Sequence, residues 1–479
     1  MSKPLTLISL FSGLGGLDYG FEAAGFETRA AVELDADCCA TLRKNRTWPV
    51  IEGDIHQATS AQILETAGLK LGEVDVLIGG PPCQPFSKSG YWARGDSKRL
   101  ADPRSSTLHE YMRCVRDLLP KVFLLENVQG INYSGKEEGF RLLEQLTQEI
   151  NQKSGTKYTL SWQVLSAADY GVPQLRTRFF LVGHREGKSF TFPAPTHGPS
   201  GTPLAENIDL LSSHLLPYAT AWDAIGEMKV SKGKDTNANG KWADLLPSIP
   251  EGENYLWHTD RKGGTPLFGW RTRYWSFLLK LAKNLPSWTI QAQPGPAVGP
   301  FHWENRRLSV EEMSALQTLP KEIQIVGGRS SAQKQLGNAV PSLLGEVLAR
   351  EMARQFFGVA YTEAPKLAVT LKRPIPEPET VKRVPSSFQH LKGEHQAHPG
   401  TGKGKWASLQ KQGELGSVLS LDATRARESR ADYEMTDNYK AAMMVAEEMA
   451  SSAMGMMGAS FQPTTPKKSP RRLSLRSGS

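Results

Sequence analysis

Three features of the sequence predict an α/β fold with a doubly wound, mostly parallel sheet. Apolar runs rich in β-branched residues alternate with helix-like runs over residues 1 to about 185, the order produced by repeated βα units. The apolar runs read as strands buried on both faces. Glycines, carboxylates or a Pro-Pro step follow them, at the strand ends where open α/β sheets bind ligands.

In chain order, LTLISLF is followed by GLGGLDYGFEAAG, RAAVELD by ADCCATLRKN, VIEGDI by SAQILETAG, and VDVLIGG by a polar loop and STLHEYMRCVRDLLP. VFLLENV and FRLLEQLTQEINQ complete the series. Two further β-rich runs, YTLSWQVLSA and TRFFLVGHR, are separated by a short loop. They are expected to add an antiparallel hairpin to the sheet.

The pattern changes after residue 185. Residues 186–304 hold 11 Lys+Arg, 11 Asp+Glu and seven of the eleven tryptophans. They are read as a second, smaller domain whose tryptophans mostly pack an aromatic core. Residues 305–360, with SVEEMSALQTLP and QLGNAVPSLLGEVLAREMARQF, return to the first domain, and residues 361–479 are expected to form a basic, largely flexible tail. The tail carries 18 Lys+Arg against 12 Asp+Glu, so only +2 of the net +8 falls on the first 360 residues. Any nucleic-acid surface there must be a local patch.

Four cysteines without CxxC or His-rich spacing argue against a disulfide framework or a zinc site. No apolar run approaches the length of a membrane span and no signal peptide opens the chain, so a cytoplasmic protein is expected. Cys38, Cys39 and Cys114 lie in helix-like, partly apolar runs and read as small buried hydrophobes. Cys83 differs, because it follows Pro81–Pro82 at the end of a strand and opens a flexible polar loop.

Other candidate residues stand at the remaining strand ends. Phe11 to Gly16, FSGLGG, turn the first strand into the first helix, where glycines admit a close ligand and the helix N-terminus suits a polar group. Asp18 stands where the dinucleotide fingerprint would require a third glycine. Glu33 ends the second strand twenty residues after Gly13, a usual place for a carboxylate holding ribose hydroxyls. Asp54 ends the third strand and can accept from an adenine amino group, although Asp35 and Asp54 would serve equally as helix caps. Glu126, at the end of LLENV, suits a carboxyl of raised pKa that shares a proton with a ring nitrogen, or a helix cap. Gln174, Arg176 and Arg178 share one face if QLRTR is extended, as a clamp for a carbonyl or phosphate or as an exposed polar strand.

FSGLGG, Glu33, GDI, GGPPCQPFS, ENV, QLRTR and QLGNAVPS, in this order, resemble the motif series of the DNA (cytosine-5)-methyltransferase family over residues 4 to about 358. The resemblance implies a Rossmann-like fold that binds S-adenosylmethionine through Phe11, Gly13, Gly15, Gly16, Glu33, Asp54, Ile55, Pro82, Asn338 and Ala339. It makes Cys83 the nucleophile that attacks C6 of a flipped cytosine, with Glu126 on N3 and Arg178, supported by Arg176, on the carbonyl side. The loop after Cys83 is implied to close over the base, with Ser87, Lys88, Arg94 and Arg99 on phosphates. Arg271 and Arg273, in the variable recognition region, are expected to read bases. One departure concerns Leu34, which stands where some members carry an aromatic on the cofactor adenine, leaving that contact mostly to Phe11.

Double-stranded DNA is the implied partner, with a cognate restriction endonuclease acting on the same site, and the protein itself is expected to be a monomer. The core begins almost at residue 1, which resembles a bacterial or phage enzyme of a restriction–modification system. Two other readings stay open. A tRNA cytosine-5 methyltransferase uses the same chemistry, although the 119 residues between Arg185 and Asn305 favour duplex DNA. A nucleotide-dependent oxidoreductase accounts for the glycine turn and Glu33, but not for Cys83, LLENV and QLRTR together.

Overall fold

The computed structural model describes residues 3–82, 106–132, 138–199, 215–230, 233, 235–269 and 274–393. Cys83, Ser87, Lys88, Arg94, Arg99, Arg271 and Arg273 lie outside these described residues.

The sheet contains β1 (Thr6–Leu10), β2 (Glu27–Glu33), β3 (Val50–Glu52), β4 (Val76–Gly79), β5 (Val122–Val128), β6 (Thr159–Ser166) and β8 (Thr177–His184), in the order β3-β2-β1-β4-β5-β8-β6. The two-residue β7 (Gln174–Leu175) precedes β8. β3, β2, β1, β4 and β5 are parallel to their neighbours, while β8 runs antiparallel to both β5 and β6. The expected hairpin is therefore present, with β8 wedged between β5 and β6.

Side chains that alternate along each strand separate into two apolar layers. Ile8, Leu10, Leu77, Phe123, Leu125, Phe179 and Leu181 face one layer, which α3 (Ser60–Ala67), α4 (Ser106–Leu118) and α5 (Glu138–Ser154) cover. Leu7, Val76, Ile78, Val122, Leu124, Phe180 and Val182 face the other, under α1 (Gly16–Ala23) and α9 (Ser342–Phe357). Contact between α1 and α9 is close because Gly20 has no side chain, and a Cβ there would come 2.4 Å from Ser342 O.

A third apolar cluster joins Leu14 and Tyr19 to α6 (Ala221–Ile225), α7 (Val310–Leu316) and α8 (Arg329–Asn338). Helix α2 (Ala36–Asn45) is tied to this side by Thr41, whose hydroxyl donates to Gln335 (2.8 Å). A fourth cluster lies wholly outside the sheet and is built from Leu245, Leu246, Ile249, Tyr255, Leu256, Leu267, Leu278, Phe301 and Phe388. Trp242, Trp257 and Trp275 pack against it, as expected for a core role.

Two boundaries differ from the sequence reading. Phe190 and Phe192 pack on the α1/α9 layer, and Ser287–Trp288 pairs with β7 in a separate two-stranded ladder, so the middle segment is tied to the first domain at both ends and its own core is narrower than 186–304. Residues 361–393, expected to open the flexible tail, are packed. The Lys366 and Leu367 N–H groups donate to the two Glu346 carboxylate oxygens (2.7 and 2.8 Å), and the Lys372 N–H donates to Asp223 (2.6 Å). Lys283 Nζ donates to Glu377 O (2.9 Å) and pairs with Glu379 (2.9 Å). The Lys382 N–H donates to Pro247 O (2.8 Å), and Phe388 stacks on Trp242 with ring centroids 5.7 Å apart. Repeated prolines prevent helix or ladder periodicity here, so a segment held by long-range contacts resembles a tail in sequence. Among the described residues, no helix is long and apolar enough to cross a membrane.

Candidate active site

The first strand ends in a strained turn. Phe11 has φ 54°, a left-handed conformation that is uncommon for an aromatic residue and is found preferentially at functional sites. Three glycines follow in different surroundings. Gly13 (φ 57°) would carry a Cβ into open space, and its N–H donates to Glu33 Oε2 (2.7 Å). At Gly15 a Cβ would meet the Leu42 side chain at 2.8 Å, and at Gly16 it would meet Val340 O at 2.4 Å. Gly13 thus leaves room for a ligand, whereas Gly15 and Gly16 let α1 pack.

Glu33 holds the turn together. Its other oxygen accepts from the Asp35 N–H (2.8 Å), and burial raises its pKa despite these hydrogen bonds. Each carboxylate oxygen retains a lone pair for a hydroxyl donor. Asp35 caps α2 by accepting from the Asp37 and Cys38 N–H groups and pairs with Lys334 (2.6 Å), which holds its pKa down. The Asp54 carboxylate accepts from the backbone N–H of His56 and lies 2.6 Å from His56 Nδ1; these contacts keep its pKa low. Ile55 is 5% exposed and its side chain belongs to the layer under α3 and α4. Leu34 is 67% exposed.

The fifth strand ends in the acid–guanidinium pair. Glu126 pairs with Phe180 in the ladder, and Val128 pairs with Arg178. Their side chains meet with Arg178 Nε 3.0 Å from Glu126 Oε1, and both are largely buried. Burial raises the Glu126 pKa, opposed first by Arg178 and then by Arg176. A Cβ on Gly80 would come 3.0 Å from Glu126 Oε2, a contact tight enough that the carboxylate would have to shift, so glycine lets the backbone preceding Pro81–Pro82 lie against it undisturbed. Asn127 Nδ2 donates to Pro81 O (3.4 Å), and Thr107 Oγ1 donates to Pro82 O (3.3 Å). Asn127 and Thr107 were not singled out as site residues from sequence; the adjacency of Asn127 to Glu126 in ENV was the available signal.

Arg176 takes a different position from the expected clamp. It is 1% exposed and donates to Gly337 O (3.1 Å) and Asn338 O (3.3 Å). It therefore fixes the loop after α8, where Asn338 is exposed and Ala339 lies against Gly16. Gly337 is required there, since a Cβ would meet Ala292 N at 2.3 Å. A cavity of about 480 Å³ opens at this junction between Asp35, Ala292, Gln293, Arg307, Arg329 and Lys334.

Cys38, Cys39 and Cys114 are buried, and burial pushes the Cys39 and Cys114 thiols up to about 12, so these cysteines are inert as nucleophiles at neutral pH. A model of the C-5 cytosine-specific DNA methylase family matches residues 5–354.

The chain belongs to this family.

It is 41% identical over 378 residues to the Type II methyltransferase M.SacI of Streptomyces achromogenes, covering 74% of this chain and 94% of that protein. It is 50% identical over 227 residues to the Type II methyltransferase M.AquIA of a Picosynechococcus strain, covering 46% and 88%. A crystal structure assigned as an E. coli prophage DNA modification methyltransferase has a TM-score of 0.53 at 21% identity, covers 73% of this chain and 99% of that one, and shares the fold.

Proposed function

We propose that this methylase transfers a methyl group from S-adenosylmethionine to C5 of a cytosine in a specific duplex DNA sequence, through a covalent bond between Cys83 and C6. The observation that carries this reading is the buried Glu126–Arg178 pair, set against Gly80 and Pro81 at the root of the chain segment that reaches Cys83. The Type II methyltransferase names of the relatives support a role in a restriction–modification system, with a nuclease of the same specificity as partner.

Each residue has a defined task. The Cys83 thiolate attacks C6 and makes C5 electron-rich. Glu126, with its pKa raised by burial, keeps a proton on N3 as charge moves into the ring, and Arg178 fixes the carboxyl and faces the carbonyl side. Loss of the C5 proton then expels Cys83. Gly13, with open space at its Cα, and Glu33, with free lone pairs, fit the cofactor's sugar, and Asn338 is exposed just before Ala339, which lies against Gly16. Bound there, S-adenosylmethionine supplies an electrophilic methyl group. Arg176 positions the Gly337–Asn338 loop and, through its charge, supports Arg178 at Glu126.

The test uses DNA carrying 5-fluorocytosine, whose C5 substituent cannot leave as a proton. Wild type should form a denaturation-resistant adduct, and Cys83→Ser should form none while retaining affinity for S-adenosylhomocysteine. An adduct of equal yield from Cys83→Ser would overturn the assignment. Bisulfite sequencing of DNA and tRNA from expressing cells separates the two substrates.

A further inference from the structure

Asp18 is a buried carboxylate that the roles above leave unused. It lies in the first turn of α1, is 1% exposed, and neither oxygen has a well-formed hydrogen bond among the described residues. An unpaired buried carboxylate is costly, and such a group stays neutral or finds a cation. Three groups bear on it: the Ser9 hydroxyl from β1, Glu22 one turn further along α1, and Glu33 from β2. Two of the three are acidic and none is cationic. Ser9 lies against the carboxyl, and Ser9 Oγ in turn accepts from Ser12 Oγ (2.8 Å). Ser12 immediately precedes Gly13, the glycine that faces open space. The linked Ser9 and Ser12 hydroxyls therefore lie between the glycine turn and a carboxylate that lacks a counter-charge among the described residues.

We propose that Asp18 is the counter-charge for the α-ammonium of the methyl donor, acting through the Ser9 and Ser12 hydroxyls. The inference rests on S-adenosylmethionine being the cofactor. An ionised Asp18 orients Ser9 and Ser12 as donors toward it, so the outer Ser12 oxygen presents lone pairs to the ammonium. Asp18 is a positioning residue, since it acts through the two serines.

A pH dependence follows. Burial, only partly opposed by Ser9, raises the Asp18 pKa to about 7. Between the ordinary carboxylate value and about 7 the unfolded carboxyl is ionised while the folded one holds its proton, so the stability cost of burying Asp18 grows across that range and is level above it. A bound cation restores the charged form, so affinity for the donor rises as pH climbs through about 7. Glu33 titrates in the same site, and Asp18→Asn removes only the Asp18 component.

The experiment is calorimetric titration of the full-length protein with S-adenosylhomocysteine and with its analogue lacking the α-amino group, at several pH values between about 6 and 8. Wild type should bind S-adenosylhomocysteine roughly tenfold more tightly than the analogue, with the gap widening as pH rises. Asp18→Asn, isosteric and uncharged, should lose that preference and its pH dependence, bind the analogue as wild type does, and melt no lower than wild type at the upper pH. Ser9→Ala should reproduce the loss of preference. Retained discrimination in Asp18→Asn would overturn the inference, as would equal wild-type affinity for both ligands. If neither ligand binds wild type, the cofactor reading itself fails.

Discussion

The seven-stranded sheet and the middle segment hold their loops in different ways. Around the sheet, the ladder satisfies the backbone and two apolar layers fix each strand, so a residue at a strand end is placed by everything behind it. Glu126 and Arg178 meet because β5 and β8 are in register. The middle segment has little regular structure and relies on an aromatic cluster and buried charges instead. Lys283 pairs with Glu251 with both side chains 4% exposed, and also with Glu379 (2.9 Å). Chemistry that needs sub-ångström placement sits on the first kind of support. Loops whose sequence must vary with the DNA target suit the second, because a cluster of side chains tolerates changes in the loops above it.

The largest expected effect tests the rigid half. Glu126→Gln keeps the shape of the pair but removes a carboxyl that can carry a proton on N3, and kcat should fall about 10²- to 10⁴-fold. Affinity for S-adenosylhomocysteine should be unchanged, because the cofactor residues lie at other strand ends. A loss below tenfold would make the pair structural and leave the sheet without its proposed chemical advantage.

The next effect separates the supports. A chain ended at residue 360 loses Phe388 from the fourth cluster, the partner of Glu346, the Lys372 and Arg373 contacts to Asp223, and a carboxylate beside Lys283. Loss of a buried aromatic alone costs about 3–5 kcal/mol, so the melting temperature should drop by several degrees at least. A chain ended at residue 393 should melt as wild type does, with the packed segment intact. Equal melting of both truncations would show that residues 361–393 contribute nothing to the fold.

Legibility in the sequence follows the same division. Val76–Gly79 and Val122–Val128 were readable because buried strands need apolar, β-branched residues whatever they pack against. Glu126 and Glu33 stood out because each ends such a run in a carboxylate, and the structure gives them buried partners, Arg178 for one and the Gly13 and Asp35 N–H groups for the other. Contacts between distant segments left no local pattern: Asn127 reaching Pro81, Gly337 making room for Ala292, and Phe388 stacking on Trp242. Gly16 was readable as a glycine, but its reason is a carbonyl more than 300 residues away in the chain, Val340 O. Arg176 and Arg178 look alike in QLRTR, and only the fold sends one to a backbone loop and the other to Glu126.

The smallest expected effect concerns an apolar side chain that the rigid half leaves exposed beside the glycine turn. Leu34 follows Glu33, whose carboxylate fixes the glycine turn, and is 67% exposed. A flat ring there would lie beside the carboxylate proposed to hold the sugar, where an adenine attached to that sugar would come close. Stacking of an aromatic side chain on a base contributes about 1–3 kcal/mol, and the lower figure is taken because Phe11 is the other face proposed for the adenine. Leu34→Trp should therefore tighten S-adenosylhomocysteine binding about fivefold. It should leave kcat unchanged, since the ring adds equally to ground and transition states. The strands beneath stay fixed in register, so the gain needs no rearrangement of the site. Unchanged affinity measured by calorimetry would place the adenine away from the end of β2, and the sugar assignment to Glu33 would fall with it.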